Sequence, residues 1–242
     1  MKKTLQFISI VSLLTLYQAC NHKPSSESTI IYTDTVVSDT SSETDPNPVI
    51  SVKDFNILIQ QYEDPGRVDW QNPEAVLGKM NDLEDAVVAD IGIGTGYFAF
   101  RLVHRGAKVI GIDIEKKFLD YIEDRKSELP GNLALNIETR LTTEDIPGLR
   151  DKEADWVLIV NTYRYLKNRP IYLRKLKDGL KPGGKILIVD FKIGDMPVGP
   201  DDSLKVPVKT AQNEVQLAGF NIRQTDNSSL QYQYILVAEV EE

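Results

Sequence analysis

The chain has 242 residues, with 28 Lys+Arg against 36 Asp+Glu and a formal net charge of −8. That length suits one domain with appendages, and the acidic balance lacks the clustered cations that phosphate neutralisation needs, so no nucleic-acid partner is expected. The single cysteine, Cys20, excludes an internal disulfide and a thiolate metal cluster; His22 and His104 lie far apart, and no metal is expected.

The opening "MKKTLQFISIVSLLTLYQAC" places Lys2 and Lys3 before a mostly apolar run from Leu5 to Tyr17, then Ala19 and Cys20. A basic start, a short apolar core and a small residue at the end describe a secretory signal, residues 1–19. The run is too short to span a bilayer, which needs about 20 apolar residues. With Ala19 before the cysteine, the segment resembles a bacterial lipoprotein leader, although Tyr17 stands where leucine is usual. That resemblance implies cleavage before Cys20, which then carries lipid and anchors the protein to a membrane of the cell envelope, on its periplasmic or surface side. Residues 20–50 continue with "PSSESTIIYTDTVVSDTSSETDPNP", which contains no Lys, Arg or Gly. Such a composition buries too little surface to offset chain entropy, so a disordered tether is expected.

Residues 51–242 read as a folded domain. "VKDFNILIQQYED" spaces Phe55, Leu58, Ile59 and Tyr62 as one helical face. "NPEAVLGKM" starts a helix with Asn72 as cap and Pro73 in the first turn. Strand and helix then alternate. "AVVADI" is a continuous apolar strand, "GYFAFRLVHRG" a helix ended by Gly106, "AKVIGID" a strand, and "EKKFLDYIEDRKSEL" a helix stopped by Pro130 and Gly131. "NLALNIE" and "ADWVLIVN" are the third and fourth strands. "PIYLRKLKDGL" is a helix, "KPGG" a turn, and "KILIVDF" the fifth strand. A last helix in "PVKTAQNEVQLAGF" precedes two strands near 220–226 and 231–239. Repeated β-then-α units predict an α/β, doubly wound, mostly parallel sheet covered on both faces. The closing hairpin predicts an antiparallel last strand at or near the edge.

The stretch "DIGIGTGYF" follows the first strand. Gly92, Gly94 and Gly96 let backbone approach a ligand beyond the strand's carboxyl end, and the next helix offers free N–H groups to a negative group. A dinucleotide loop would place its third glycine at Tyr97. The G-x-G-x-G pattern, with Asp90 before it, "GID" closing the next strand and "LKPGGKILIVDF" later, resembles class I S-adenosylmethionine-dependent methyltransferases over residues 70 to 240. The resemblance implies a Rossmann-like sheet of seven strands, the last antiparallel, and S-adenosylmethionine as cofactor. It implies that Gly92, Gly94 and Gly96 pass under the cofactor. Asp113 then accepts hydrogen bonds from the ribose hydroxyls, Asp90 holds the loop or the ammonium, and Ile114 covers the adenine. Thr142, or the backbone near Thr143, contacts the adenine edge. For Asp113, a helix cap for "EKKFL" is the rival role.

In "NTYRYLKNRP", Asn161, Tyr163, Arg164 and Tyr165 are candidate contacts for a small-molecule acceptor, and Asn161 also for the cofactor. Packed tyrosines and a solvated Arg164 are the plain alternative. Similar proteins with "TYHHI" carry histidines where Arg164 and Tyr165 stand, so an easy base is missing. Arg67 and Trp70 either close over the cofactor or pack; packing is favoured for Trp70. The Pro- and Gly-rich stretch 189–207 is expected to form a lid or substrate wall. Two functional readings remain. One is a lipid-anchored methyltransferase for a small molecule. The other is a non-catalytic nucleoside- or small-ligand-binding protein on the same fold, which the export signal favours because S-adenosylmethionine is made in the cytosol. An inefficient leader would leave the domain cytoplasmic.

Overall fold

The computed structural model describes residues 51–241. The expected signal peptide, Cys20 and the tether lie outside the described residues. Among the described residues no helix is long and apolar enough to cross a membrane.

Three helices enter first: α1 (Val52–Tyr62), α2 (Arg67–Gln71) and α3 (Pro73–Leu77). Ser51 caps α1 by accepting the Asp54 N–H. Asn72 caps α3, its side chain accepting the Ala75 N–H at 3.2 Å, with Pro73 beginning the helix. The alternation then runs β1 (Val87–Ile91), α4 (Ala99–Val103), β2 (Lys108–Asp113), α5 (Lys116–Lys126), α6 (Gly131–Ala134), β3 (Ile137–Leu141), β4 (Ala154–Val160), α7 (Arg169–Gly179), β5 (Leu180–Phe191), α8 (Val208–Leu217), β6 (Asn221–Asp226) and β7 (Gln233–Glu239). Short 3-10 turns occupy Tyr163–Tyr165 and Asp202–Leu204.

The seven strands form one sheet in the order β3-β2-β1-β4-β5-β7-β6. β7 is antiparallel to both β5 and β6, and the remaining pairs are parallel. The antiparallel strand therefore lies one place in from the edge. The fold is the expected Rossmann-like α/β sheet of seven strands.

Side chains leave alternate faces of each strand. Val88, Trp156, Leu158 and Leu187 join a core with α3, α4 and α5. Ala89, Val157, Ile159 and Ile188 join a second core with α7 and α8. Burial on both faces explains why β1, β4 and β5 read as unbroken apolar runs.

Three elements differ from the sequence reading. The third strand is Ile137–Leu141, and "NLA" is a helical turn, because the Leu133 and Ala134 N–H groups both bond to the Pro130 carbonyl, at 2.8 and 3.1 Å. The fifth strand begins at Leu180. Its pairing runs Ala154↔Leu180 and then Trp156↔Lys185, so "KPGG" is a bulge within the strand, with Gly183 at φ 70°. The short helix α2 was not expected.

Strand order reverses between β1 and β4. β1 is followed by β2 on one side, and β4 by β5 on the other. The loops leaving their carboxyl ends diverge and open a crevice, where ligands bind in open sheets of this kind.

Candidate functional site

A cavity of ≈ 960 Å³ fills that crevice, a size within the range of small-molecule and cofactor sites. Its floor is the loop after β1. Gly92 and Gly94 have φ of 73° and 52°, a region that side chains rarely adopt. A Cβ on Gly92 would collide with the Thr162 side chain, where the loops after β1 and β4 touch. A Cβ on Gly94 would meet the Tyr62 ring at 3.5 Å. Gly96 has a different duty from the expected one. It does not line the cavity, and a Cβ there would meet Ile122 at 2.6 Å and Phe100 at 2.7 Å. It lets the loop and its helix pack on α5.

Asp113 ends β2 and faces the cavity. One carboxylate oxygen accepts the Gly94 N–H at 3.0 Å, and the other accepts the Glu115 N–H at 2.9 Å. The helix-cap role falls to Glu115, whose own side chain accepts the Lys117 N–H at 3.1 Å. The Ile114 N–H also bonds to this carboxylate, which leaves acceptor capacity on one side for a ligand hydroxyl. Burial pushes the Asp113 carboxyl up to about 6, against the lowering effect of its backbone hydrogen bonds. Asp90, at the end of β1, also lines the cavity. Burial raises it to about 7; the neighbouring Asp113 charge adds to the rise and Arg67 opposes it.

Ile114 and Thr142 stand on the same wall as Asp113. The Thr142 hydroxyl donates to the Ile146 carbonyl at 2.7 Å, so it has only acceptor capacity left for a ligand. The Thr95 hydroxyl is buried in the cavity lining without a hydrogen-bond partner. Bare backbone, a carboxylate with acceptor capacity to spare and an orphaned hydroxyl together fit a nucleoside-bearing ligand with hydroxyl and ammonium groups. Among the described residues, no group of three or more His, Cys, Asp or Glu is placed to hold a metal ion.

The loop after β4 divides its candidates. Asn161, Arg164 and Tyr165 line the cavity. Tyr163 does not: it is fully buried on the other side, donating to Glu214 at 2.6 Å. Arg169 holds the same carboxylate at 2.8 and 2.9 Å. The 3-10 turn sends successive side chains in different directions, so Tyr163 serves the core and is corrected as a substrate contact. Arg164 is not solvated either, for its side chain is only 7% exposed.

Asn161 sits in the left-handed region at φ 59°. Its amide belongs to a closed ring of three. Asn161 donates to Gln71 at 3.1 Å, Gln71 donates to Gln233 at 2.6 Å, and Gln233 donates to Asn161 at 2.5 Å. Arg67, which can only donate, bonds to the Gln71 carbonyl oxygen at 3.0 Å. That contact sets the direction of every bond in the ring. Arg67 also lines the cavity and donates to the Tyr62 carbonyl at 2.8 Å, tying α1 to the site. Trp70 packs on Phe191, with ring centroids 5.7 Å apart, as favoured above.

The cover over the cavity is α1. Ser51, Asp54, Leu58, Gln61 and Tyr62 line it. Phe55 and Tyr62 hold the helix down on Phe118, with centroids 5.0 and 5.7 Å apart. The expected lid at 189–207 is corrected: of that stretch only Phe191 reaches the cavity. The rest is pinned elsewhere: Lys205 donates to the Gly194 carbonyl and to Asp202, both at 2.7 Å, and the Lys192 side chain donates to the Leu230 carbonyl at 2.8 Å. The α1 periodicity marked an apolar face, but nothing local said that Phe118 would receive it.

Residues 89–188 match the family model described as a methyltransferase domain. Among characterised proteins, a demethylmenaquinone methyltransferase of Tropheryma whipplei is 35% identical over 104 residues, 43% of this chain and 41% of the relative. A tRNA U34 carboxymethyltransferase of Glaesserella parasuis is 29% identical over 176 residues, 66% of this chain and 54% of the relative. The chain thus spans about half or less of the length of these relatives. A SAM-dependent methyltransferase from Aquifex aeolicus superposes with a TM-score of 0.68 at 23% identity, covering 75% of this chain and 96% of that one. That is a likeness of fold. The matched segment 89–188 runs from β1 into β5 and so contains both loops of the crevice.

Proposed function

We propose that this chain is an S-adenosylmethionine-dependent methyltransferase for a small-molecule acceptor, held at a cell-envelope membrane by lipid on Cys20. The observation that carries the reading is Asp113: its carboxylate faces the crevice and is braced by the glycine-loop N–H of Gly94. The Gly92–Gly94 backbone would lie under the cofactor, Asp113 would take a ribose hydroxyl, and Ile114 would cover the adenine. Thr142 and its neighbour Thr143 would face the adenine edge. Asp90 and Thr95 would receive the ammonium end, where a negative carboxylate favours a cation. When bound, S-adenosylmethionine supplies a methyl group on a sulfonium. The chain's part is to align the acceptor and exclude water, and alignment alone is worth up to about 7–11 kcal/mol in good models. α1 and Tyr62 cover the crevice for that purpose. The net charge of −8 favours a small acceptor over a nucleic acid.

Calorimetry of the full-length protein in detergent with S-adenosylmethionine is expected to give a one-site isotherm. Absence of heat at millimolar cofactor removes the reading. The rival, a non-catalytic binding protein, is favoured by one observation: Arg164 and Tyr165 stand where a base would help, and the adjacent Asp190 is fully buried. Adenosine binding as tightly as S-adenosylmethionine would select that rival.

The anchoring is tested separately. Cells fed labelled fatty acid are expected to label the wild-type protein and not the Cys20→Ser variant. Label that persists in the variant refutes lipid attachment at Cys20.

A further inference from the structure

The acceptor side of the cavity holds a cation that its neighbours leave half satisfied. The Arg164 Nη2 donates to the Tyr165 hydroxyl at 2.7 Å. Its Nε and Nη1 are buried without a hydrogen-bond partner. The nearby carboxylate, Asp190, stands 3.7 Å from Nη1, outside hydrogen-bond reach. Asp190 is committed elsewhere: it accepts the Phe191 N–H at 2.8 Å and the Arg164 backbone N–H at 3.2 Å. Burial also pushes its carboxyl above the usual range, which weakens it as a counter-charge.

Buried donors without acceptors are costly, and more so on a charged group. A guanidinium is a planar fork matched to a carboxylate. The setting is aromatic. The guanidinium carbon lies 4.4 Å from the Tyr165 ring centroid and 6.0 Å from that of Phe191. Both rings line the cavity, together with Leu166.

We propose that Arg164 binds a carboxylate carried by the methyl acceptor on a flat, apolar frame. The proposal rests on the methyl-transfer reading and names its substrate class. The carboxylate takes the place of the neutral Tyr165 hydroxyl at Nη2 and adds the Nε N–H in one bidentate contact. Tyr165 is 54% exposed and yields the position by turning toward solvent. The frame then lies beside Phe191.

The test uses full-length protein loaded with S-adenosylhomocysteine and two probes of equal shape, 2-naphthoate and uncharged 2-naphthamide. The acid is expected to bind at least tenfold more tightly than the amide. Arg164→Met is expected to lose at least tenfold of the acid affinity and to bind both probes alike. Arg164→Lys, which keeps the charge without the fork, is expected to recover only part of the preference. Loading is measured first by calorimetry on each protein. A wild-type chain that fails to load overturns the methyl-transfer reading itself. A chain that loads but binds acid and amide equally, or binds neither, overturns only the Arg164 assignment. Retention of the acid preference in Arg164→Met does the same. Should Arg164→Met not fold, the wild-type comparison and Arg164→Lys decide the matter.

Discussion

Replacing Asp113 by alanine weakens S-adenosylmethionine binding about a hundredfold while the domain stays folded. A charge-assisted hydrogen bond is worth about 1.5–3 kcal/mol, and roughly 2.7 kcal/mol is a hundredfold in affinity. The variant loses such a bond to the ligand. It also loses the brace on the Gly94 N–H at 3.0 Å, which holds the loop in place. Folding survives because α5 is capped by Glu115 and because a carboxylate 8% exposed is itself costly to bury. Asparagine is no conservative replacement. Gly94 and Glu115 both present N–H groups to the side chain, and an amide nitrogen would face one of them donor to donor. Calorimetry and thermal melts on the Ala and Asn variants check this. Unchanged affinity in Asp113→Ala would reduce the residue to a brace of the loop.

Asp90→Asn is expected to raise the melting temperature of the ligand-free protein at pH 8 by about 4–8 °C, from about 2 kcal/mol at roughly 2–4 °C per kcal/mol. At pH 4 it changes little. An aspartate in the unfolded chain titrates near 3.9, on the order of model peptides. In the fold, burial and the Asp113 charge raise Asp90 to about 7. The folded state therefore binds more protons than the unfolded state between about pH 4 and pH 7. The stability this group contributes is complete below the lower value and drains away as pH rises through the higher one. Asparagine has no proton to lose, so the difference between variant and wild type opens over that window. Cofactor affinity has the opposite sign. A cation and its N–H donors favour the ionised carboxylates, so wild-type binding is expected to strengthen from pH 5 to pH 8 by at least tenfold, and Asp90→Asn loses much of that gain. Differential scanning fluorimetry across pH, with and without S-adenosylmethionine, measures both. A variant less stable than wild type at pH 8 would show that Asp90 is a net stabiliser.

Most of the chain's plan was legible along its length. The central stretches of strands β1, β4 and β5 are buried on both faces, so they had to be mostly apolar, and a run such as "WVLIV" shows it. The Asn72 cap and the Gly106 stop are local chemistry. The hairpin ending follows from the short link before β7, and its antiparallel pairing is the consequence. The β3 reading slipped because Leu133 and Leu135 alternate like a strand, whereas the carbonyl of Pro130 captures two N–H groups and closes a turn.

The cavity lining was legible where it follows directly on the ends of adjacent strands. Gly92, Gly94 and Asp113 line the crevice because bare backbone and a carboxylate stand at the carboxyl ends of β1 and β2. Elsewhere the residues come from distant segments. The amide ring joins positions 71, 161 and 233. The cover comes from α1, ahead of the sheet, and not from the long loop after β5. Gly96 and Tyr163 turned to the core, while Arg164, a candidate contact in sequence, lines the cavity with its side chain buried.

The sequence by itself determined most element types, the mostly parallel sheet and the glycine loop after β1, because periodicity and turn chemistry act between residues a few positions apart. Only the tertiary structure decided which helix roofs the cavity, which tyrosine faces it and which cation is left half paired. Those outcomes depend on which surfaces meet after the chain closes loops of tens of residues, and a side-chain pattern names the face to be buried without naming its partner.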